Sequence, residues 1–216
     1  AGLLNALVLE DKKLEDIKIV IAGAGAAGTA VAKLLLFAGA KNIIMDDING
    51  TVYKGRETND KYLEELACMT NPNDERGELK DIIKNADVFI GLSKGGLLTE
   101  EMIQSMEYRP IVFALANPVP EIMPDEAKHA GVYIMSTGRS DFENQINNAL
   151  AFPGLFKGLI DGKIKKVTNE IKLESALMIA SMVPTDELTP DNILPDALDR
   201  MLPLQIAKTI EEKFSK

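Results

Sequence analysis

The stretch Ile19-Val20-Ile21-Ala22-Gly23-Ala24-Gly25-Ala26-Ala27-Gly28 decides the fold. A β-branched apolar run ends on Gly-x-Gly-x-x-Gly, and a segment rich in Ala and Leu follows at once. In this pattern Gly23 permits a tight turn off a strand, Gly25 lets a pyrophosphate approach the backbone, and Gly28 lets the helix pack close to the sheet. The first turn of that helix, with Ala26 and Ala27, presents free N–H groups and a positive dipole end to phosphates.

An acid pair follows at the spacing that this pattern requires. Asp47 comes nineteen residues after Gly28, at the end of the next apolar run, where a carboxylate accepts hydrogen bonds from a ribose diol. Asp46 beside it is a second ribose contact or simply a strand-end carboxylate. Strand, helix and acid together predict a dinucleotide site, and the alternative is a purely structural glycine turn.

Short apolar runs alternate with helical patterns over the first two thirds of the chain. The predicted strands are residues 17–22, 42–46, 88–92, 111–116 and 132–136. Each is apolar nearly throughout, as in strands that are covered on both faces. Strand–helix alternation of this kind predicts an α/β fold, a Rossmann-type doubly wound parallel sheet.

The pattern changes after residue 136. Residues 141–160, 168–183 and 202–214 are predicted helices, and residues 184–195 are a predicted loop. We interpret this region as a C-terminal helical layer on the sheet, so that residues 1–216 form one nucleotide-binding domain. Residues 1–7 resemble the middle of an amphipathic helix, which indicates a piece of a longer polypeptide.

Composition argues against several classes of function. The net charge is −9, so nucleic acid is not an expected partner, and residues 163–166 are predicted to be a solvated loop or helix start. The single cysteine, Cys68, permits no intrachain disulfide, which favours a cytoplasmic setting, and its apolar surroundings predict a core position. The single histidine, His129, is predicted on a helix surface, and no zinc site of ordinary ligands is expected. No apolar stretch approaches the roughly 20 residues that cross a bilayer.

Ligands of open α/β sheets bind outside the carboxyl ends of the strands. Four loops are predicted there: residues 23–28, 46–50, 91–96 and 116–120. The third, which carries Ser93, is small and glycine-rich, and we expect a ribose of the cofactor there rather than an empty turn. In the fourth, Asn117 offers a donor and an acceptor, although Asn-Pro is also typical of plain turns. Asn147 and Asn148 lie within a predicted helix, where adjacent amides are costly unless they are paired.

The four motifs at residues 23–28, 113–118, 137–142 and 147–154 together resemble malic enzymes of the bacterial and archaeal type. The resemblance spans nearly the whole chain. It implies oxidative decarboxylation of malate to pyruvate and CO2, with hydride transfer to NAD or NADP and with Mg2+ or Mn2+ in the complete enzyme. It also implies that Asn117, Asn147 and Asn148 contact malate and nicotinamide. Homo-oligomers are usual in the family.

The resemblance also shows what this stretch lacks. The acid–base tyrosine and lysine of the family, and its metal-binding carboxylates, belong to an N-terminal half. We do not transfer those roles to Tyr53, Lys54 or Glu57, so no catalytic residue and no metal ligand is predicted in this chain. Two adjacent acids, Asp46 and Asp47, disfavour a 2′-phosphate and therefore favour NAD over NADP, although Lys54 could offset them. The alternatives are the cofactor domain of another dehydrogenase, such as an amino-acid dehydrogenase, and a non-catalytic NAD-sensing module.

Overall fold

The structure, a computed structural model, describes residues 1–215 of the 216. The chain forms two compact units, one of residues 12–138 and one of residues 1–11 and 139–216. The organisation into a single domain stays a prediction.

The unit of residues 12–138 contains a six-stranded sheet with the order β3-β2-β1-β4-β5-β6. All pairs are parallel except β2 with β3, which are antiparallel. The strands are β1 (Lys18–Ala22), β2 (Asn42–Asp47), β3 (Gly50–Thr51), β4 (Val88–Gly91), β5 (Ile111–Ala114) and β6 (Ile134–Thr137). Five of them lie at the predicted positions. The two-residue strand β3 was not predicted, because it is too short to show a periodicity.

Helices cover both faces of this sheet. Their bounds are α2 (Ala26–Phe37), α3 (Lys61–Met69), α4 (Leu79–Ile82), α5 (Glu100–Gln104) and α6 (Pro124–Ala130). On one face, Val20, Ile44 and Phe89 form a core with α4, α5 and α6. On the other face, Gly28 of α2 lies against the Met45 side chain. The doubly wound parallel sheet is thereby confirmed.

The second unit is helical. It contains α1 (Gly2–Glu10), α7 (Phe152–Asp161), α8 (Asn169–Ser181) and α9 (Met201–Phe214). Helices α7 and α9 pack closely because Gly154 and Gly158 face α9: a Cβ on either would lie 2.7 to 2.8 Å from a carbonyl oxygen of that helix. Two buried asparagines join distant segments here. Asn5 donates to the carbonyl oxygens of residues 180 and 193, and Asn144 accepts from the N–H of residue 193.

Two predictions were wrong. The helix predicted to begin at residue 141 begins at Phe152, because Asn144 has a positive φ of 53° and Asn147 starts a 3-10 turn over Asn148–Leu150. Cys68 is exposed rather than in the core. It lies on α3, where Leu66 and Ala67 occupy the buried face and the next residue rotates toward solvent.

Thr99 and Thr168 cap α5 and α8 by accepting hydrogen bonds from N–H groups of the first helical turn. Two other local predictions are confirmed. His129 is exposed on α6, and the lysines of residues 163–166 are exposed in a loop. No helix among residues 1–215 is both long and apolar enough to span a membrane.

Candidate dinucleotide site

The turn that joins β1 to α2 is built as the glycine pattern predicts. Gly23 has a φ of 112°, a left-handed conformation that favours glycine, and its N–H donates to the Asp46 carbonyl at 2.8 Å. A Cβ on Gly28 would lie 1.8 Å from the Gly23 carbonyl oxygen. Only glycine at position 28 therefore allows α2 to begin this close to the end of β1.

The middle glycine leaves open space at the start of α2. A Cβ on Gly25 would meet nothing within 4 Å, and Gly25, Ala26 and Ala27 are exposed. The first hydrogen bond of the helix runs from the Thr29 N–H to the Gly25 carbonyl at 2.9 Å. The N–H groups of the first turn are therefore not used by the helix, and they can bind an anion together with the helix dipole. This geometry fits the diphosphate of a dinucleotide.

A cleft of about 620 Å3 lies beside this turn. Its lining includes Gly25, Thr29 and Lys33 from the turn and α2, Asp47 from β2, and Tyr62 from α3. The cleft thus places the strand-end acid and the open turn on one surface. That arrangement fits a ribose next to a diphosphate.

Asp47 is engaged by an arginine that the sequence analysis missed. Arg56 forms a bidentate ion pair with Asp47, with Nη2–Oδ2 and Nη1–Oδ1 distances of 2.5 and 3.0 Å. The Arg56 guanidinium also donates to the carbonyl oxygens of Gly50 and Thr51, and only 5% of its side chain is exposed. Arg56, rather than Lys54, supplies the positive charge that offsets the negative charges of Asp46 and Asp47. No local pattern reveals this pair, because the partners are nine residues apart across a strand and a turn.

Asp46 has a different environment on the adjacent position of β2. The residue is 7% exposed, and its Oδ1 is buried with no hydrogen-bond partner among the described residues. Burial raises the pKa of Asp46 to about 6, and the negative charges of Asp47 and Glu78 act in the same direction, against Arg56. The two acids of the pair are therefore not equivalent.

The loop of residues 91–96 and the turn of residues 116–120 pack against each other at the ends of β4 and β5. A Cβ on Gly91 would lie 2.2 Å from Cδ of Glu121, and a Cβ on Gly95 would lie 2.8 Å from the Val119 carbonyl oxygen. These glycines thus have a packing role, which the sequence analysis did not find. Ser93 and Asn117 are exposed at this edge, and the Asn117–Pro118 peptide is cis.

Asn147 and Asn148 belong to the helical unit. Both are exposed, and the Asn147 side chain accepts a hydrogen bond from the Ala149 N–H at 2.9 Å. Asn147 is the N-cap of the 3-10 turn, so the reason given for a ligand contact, two unpaired amides inside a helix, does not hold. Both residues are nevertheless exposed, and a side-chain amide retains its N–H2 donor when its oxygen accepts a hydrogen bond.

Metal binding is not supported by the donor set. Among residues 1–215, no group of three or more His, Cys, Asp or Glu side chains is arranged to hold a metal ion. The described residues therefore do not fit the Mg2+ or Mn2+ that the resemblance implies.

The parallel sheet, the open glycine turn at a helix N-terminus and the strand-end acid define a Rossmann-type dinucleotide-binding domain. Comparison with known proteins identifies its family. The family model described as "Malic enzyme, NAD binding domain" matches residues 1–213, and the chain belongs to this family.

Individual relatives agree with the family assignment. The chain is 47% identical over 211 residues to the bifunctional malic/malolactic enzyme of Bacillus subtilis, covering 97% of this chain and 52% of that protein. It is 47% identical over 212 residues to the NAD-dependent malic enzyme of Geobacillus stearothermophilus, covering 98% and 44%. A solved structure, the NAD-dependent malic enzyme of Thermotoga maritima, is 42% identical with a TM-score of 0.93 and covers 97% of this chain and 55% of that one.

Two further facts follow from these comparisons. The chain spans about half the length of the first two of these relatives. Relatives named NADP-dependent malic enzyme are also similar, at 35% to 44% identity. Family membership alone therefore does not distinguish NAD from NADP.

Proposed function

We propose that this chain is the nucleotide-binding half of a decarboxylating malate oxidoreductase, which converts malate and NAD to pyruvate, CO2 and NADH. The observation that carries the proposal is the open turn at Gly25, beside free N–H groups of α2 and near Asp47, in a member of the malic enzyme NAD-binding family. Bound NAD supplies the hydride acceptor.

In this proposal the residues of this chain bind the cofactor and orient it. The N–H groups of Ala26, Ala27 and Gly28 hold the diphosphate, and Asp47 accepts from a ribose hydroxyl through lone pairs that Arg56 leaves free. The Asp47–Arg56 pair fixes the carboxylate in one orientation, because each oxygen of the acid receives one guanidinium N–H.

The nicotinamide end of the cofactor and the malate are assigned to polar residues of the remaining loops. We assign Ser93 to the cofactor, Asn117 and Asn147 to cofactor and substrate, and Asn148 to substrate. Their exposure supports these assignments, since a ligand can reach each of them. The acid–base groups and the metal ligands are assigned to a preceding half of the protein.

We propose NAD rather than NADP as the preferred cofactor. Around the end of β2, Asp46, Asp47 and Glu78 contribute three negative charges and Arg56 one positive charge. A 2′-phosphate placed here would meet a net negative field, and the arginine that would pair with it is already held by Asp47.

The test measures binding and turnover separately. Titration of the 216-residue chain with NADH, followed by nicotinamide fluorescence, is expected to show saturable binding that is tighter than binding of NADPH. Malate oxidation is expected only after the N-terminal half of a related malic enzyme is added. Turnover by this chain alone would refute the assignment of the chemistry to the other half, and no NADH binding would refute the cofactor site.

Assembly and location complete the proposal. We propose that the protein forms a homo-oligomer, because the apolar side chains of Phe152, Phe156 and Ile160 are exposed along one side of α7. We propose that the protein is located in the cytoplasm, because its single cysteine permits no intrachain disulfide. Light scattering that gives a monomer mass, or recovery of the native protein outside the cytoplasm, would contradict these two parts.

A further inference from the structure

One carboxylate is completely buried between two loops of the candidate site. Glu121 is 0% exposed. Its Oε1 accepts from the Ser93 N–H and its Oε2 from the Ala116 N–H, both at 3.0 Å. No cationic side chain pairs with Glu121 among the described residues, so backbone N–H groups alone stabilise its charge.

The two N–H groups belong to the two loops at the ends of β4 and β5. Ser93 lies in the loop of residues 91–96, and Ala116 directly precedes Asn117. Gly91 provides the space for the carboxylate, because a Cβ there would lie 2.2 Å from Cδ of Glu121. The carboxylate therefore bridges a loop that we assign to the cofactor and a turn that we assign to cofactor and substrate.

The chemistry of the site requires a carboxylate. Two convergent N–H donors need two acceptor oxygens at a fixed separation, and an ionised carboxylate provides them. Glutamine would offer one oxygen and would turn an N–H2 group toward the second donor. Aspartate is one methylene shorter and cannot reach both loops from the same position on the backbone.

We propose that Glu121 is a positioning residue, which holds the Ser93 loop and the Asn117 turn in the geometry that binds NAD. The inference rests on the proposed function, because it takes these two loops to be the ones that contact the cofactor. Glu121 itself does not touch the cofactor, since its side chain is buried.

The test compares Glu121→Gln with Glu126→Gln, the same chemical change at an exposed position of α6. We expect E121Q to weaken NADH binding about tenfold, as loss of one charge-assisted hydrogen bond implies. Amide hydrogen exchange at Ser93 and Ala116 should accelerate by a similar factor. E126Q should leave both measurements within twofold of the unaltered chain.

Affinity is measured well below the melting temperature, with the folded fraction checked by circular dichroism. A purely structural Glu121 would lower the melting temperature while the folded E121Q chain bound NADH with unaltered affinity, and that result would overturn the inference. If the unaltered chain binds no NADH, the proposed function fails instead. The exchange rates then still show whether Glu121 holds the two loops.

A measurement on the unaltered chain covers the case in which E121Q does not fold. Although Ser93 is exposed, its amide should exchange at least about a hundredfold more slowly than in an unstructured peptide, because Glu121 holds it. Exchange at the rate of an unstructured peptide would overturn the inference.

Discussion

Replacing Asp46 by asparagine is expected to stabilise the chain at neutral pH. Asp46 is 7% exposed, its Oδ1 has no hydrogen-bond partner among the described residues, and Asp47 and Glu78 contribute further negative charge around it. An ionised carboxylate is therefore less favourable here than in the unfolded chain. Asparagine keeps the shape of the side chain and removes the charge.

The magnitude follows from the pKa of Asp46. Burial raises this pKa from its ordinary value of 3.8 to about 6, which corresponds to about 3 kcal/mol of lost stability once the group is ionised in both states. Between these two pKa values the folded state binds more protons than the unfolded state, so the stability contributed by Asp46 falls as pH rises. The loss is complete above pH 6 and nearly absent below pH 3.8.

Urea denaturation followed by circular dichroism tests this at pH 7 and pH 4. At pH 7 we expect Asp46→Asn to raise the free energy of unfolding by about 1–3 kcal/mol, the upper value being the full electrostatic cost. At pH 4 the difference between variant and parent should shrink to below about 1 kcal/mol. The comparison with the parent at each pH cancels the titration of the carboxylates that do not interact with Asp46.

Asp47→Asn is the matched control, because it removes the same charge from the adjacent residue. Here the charge is paired with the buried Arg56, so the control should destabilise the chain at pH 7 by about 3 kcal/mol. An Asp46→Asn variant that is equally destabilised at pH 7, or whose gain does not depend on pH, would refute the reasoning about its burial.

The remaining predictions concern the glycine turn, the arginine pair and the free thiol. Gly25→Ala should abolish NADH binding but leave the melting temperature of the chain within about 3 °C of the parent. Gly28→Ala should abolish NADH binding and also lower the melting temperature, because its Cβ meets a carbonyl oxygen. Equal melting temperatures for the two variants would contradict the packing argument. Asp47→Ala should weaken NADH binding and strengthen NADPH binding, the latter about tenfold, because Arg56 becomes free to pair with the 2′-phosphate. A fluorescence titration that shows no tighter binding of NADPH would contradict this prediction. Cys68 should react with a thiol reagent in the folded chain, and Cys68→Ser should change the free energy of unfolding by less than about 0.5 kcal/mol; a thiol that reacts only in denaturant would show it to be buried.

The order of strands and helices in the sheet unit could be predicted from the sequence because its signals are local. The apolar run that ends at Gly23 and the cap at Thr99 each act on their own few residues. The same holds for Gly28, whose pattern within a six-residue motif predicts a close helix–strand approach. These features need no knowledge of distant residues.

Errors arose where local patterns compete. Residues 141–151 contain enough helix formers to suggest a continuous helix, but Asn147 caps a 3-10 turn and Pro153 lies in the first turn of α7. Cys68 follows two buried residues, so its apolar neighbours were misleading. The exposure of Cys68 depends on its position around the axis of α3. That position becomes known only when the structure shows which face of α3 packs against the core of the sheet unit.

The sequence alone determines the glycine turn, the doubly wound sheet and the identity of the acids at the end of β2, since each is encoded within a short segment. Only the tertiary structure decides that Asp47 is paired with Arg56, that Oδ1 of Asp46 is buried with no hydrogen-bond partner among residues 1–215, and that Glu121 joins the loops after β4 and β5. The physical reason is that charge and hydrogen bonding depend on distances between side chains and backbone groups far apart in the chain. Those distances are fixed when the strands pair.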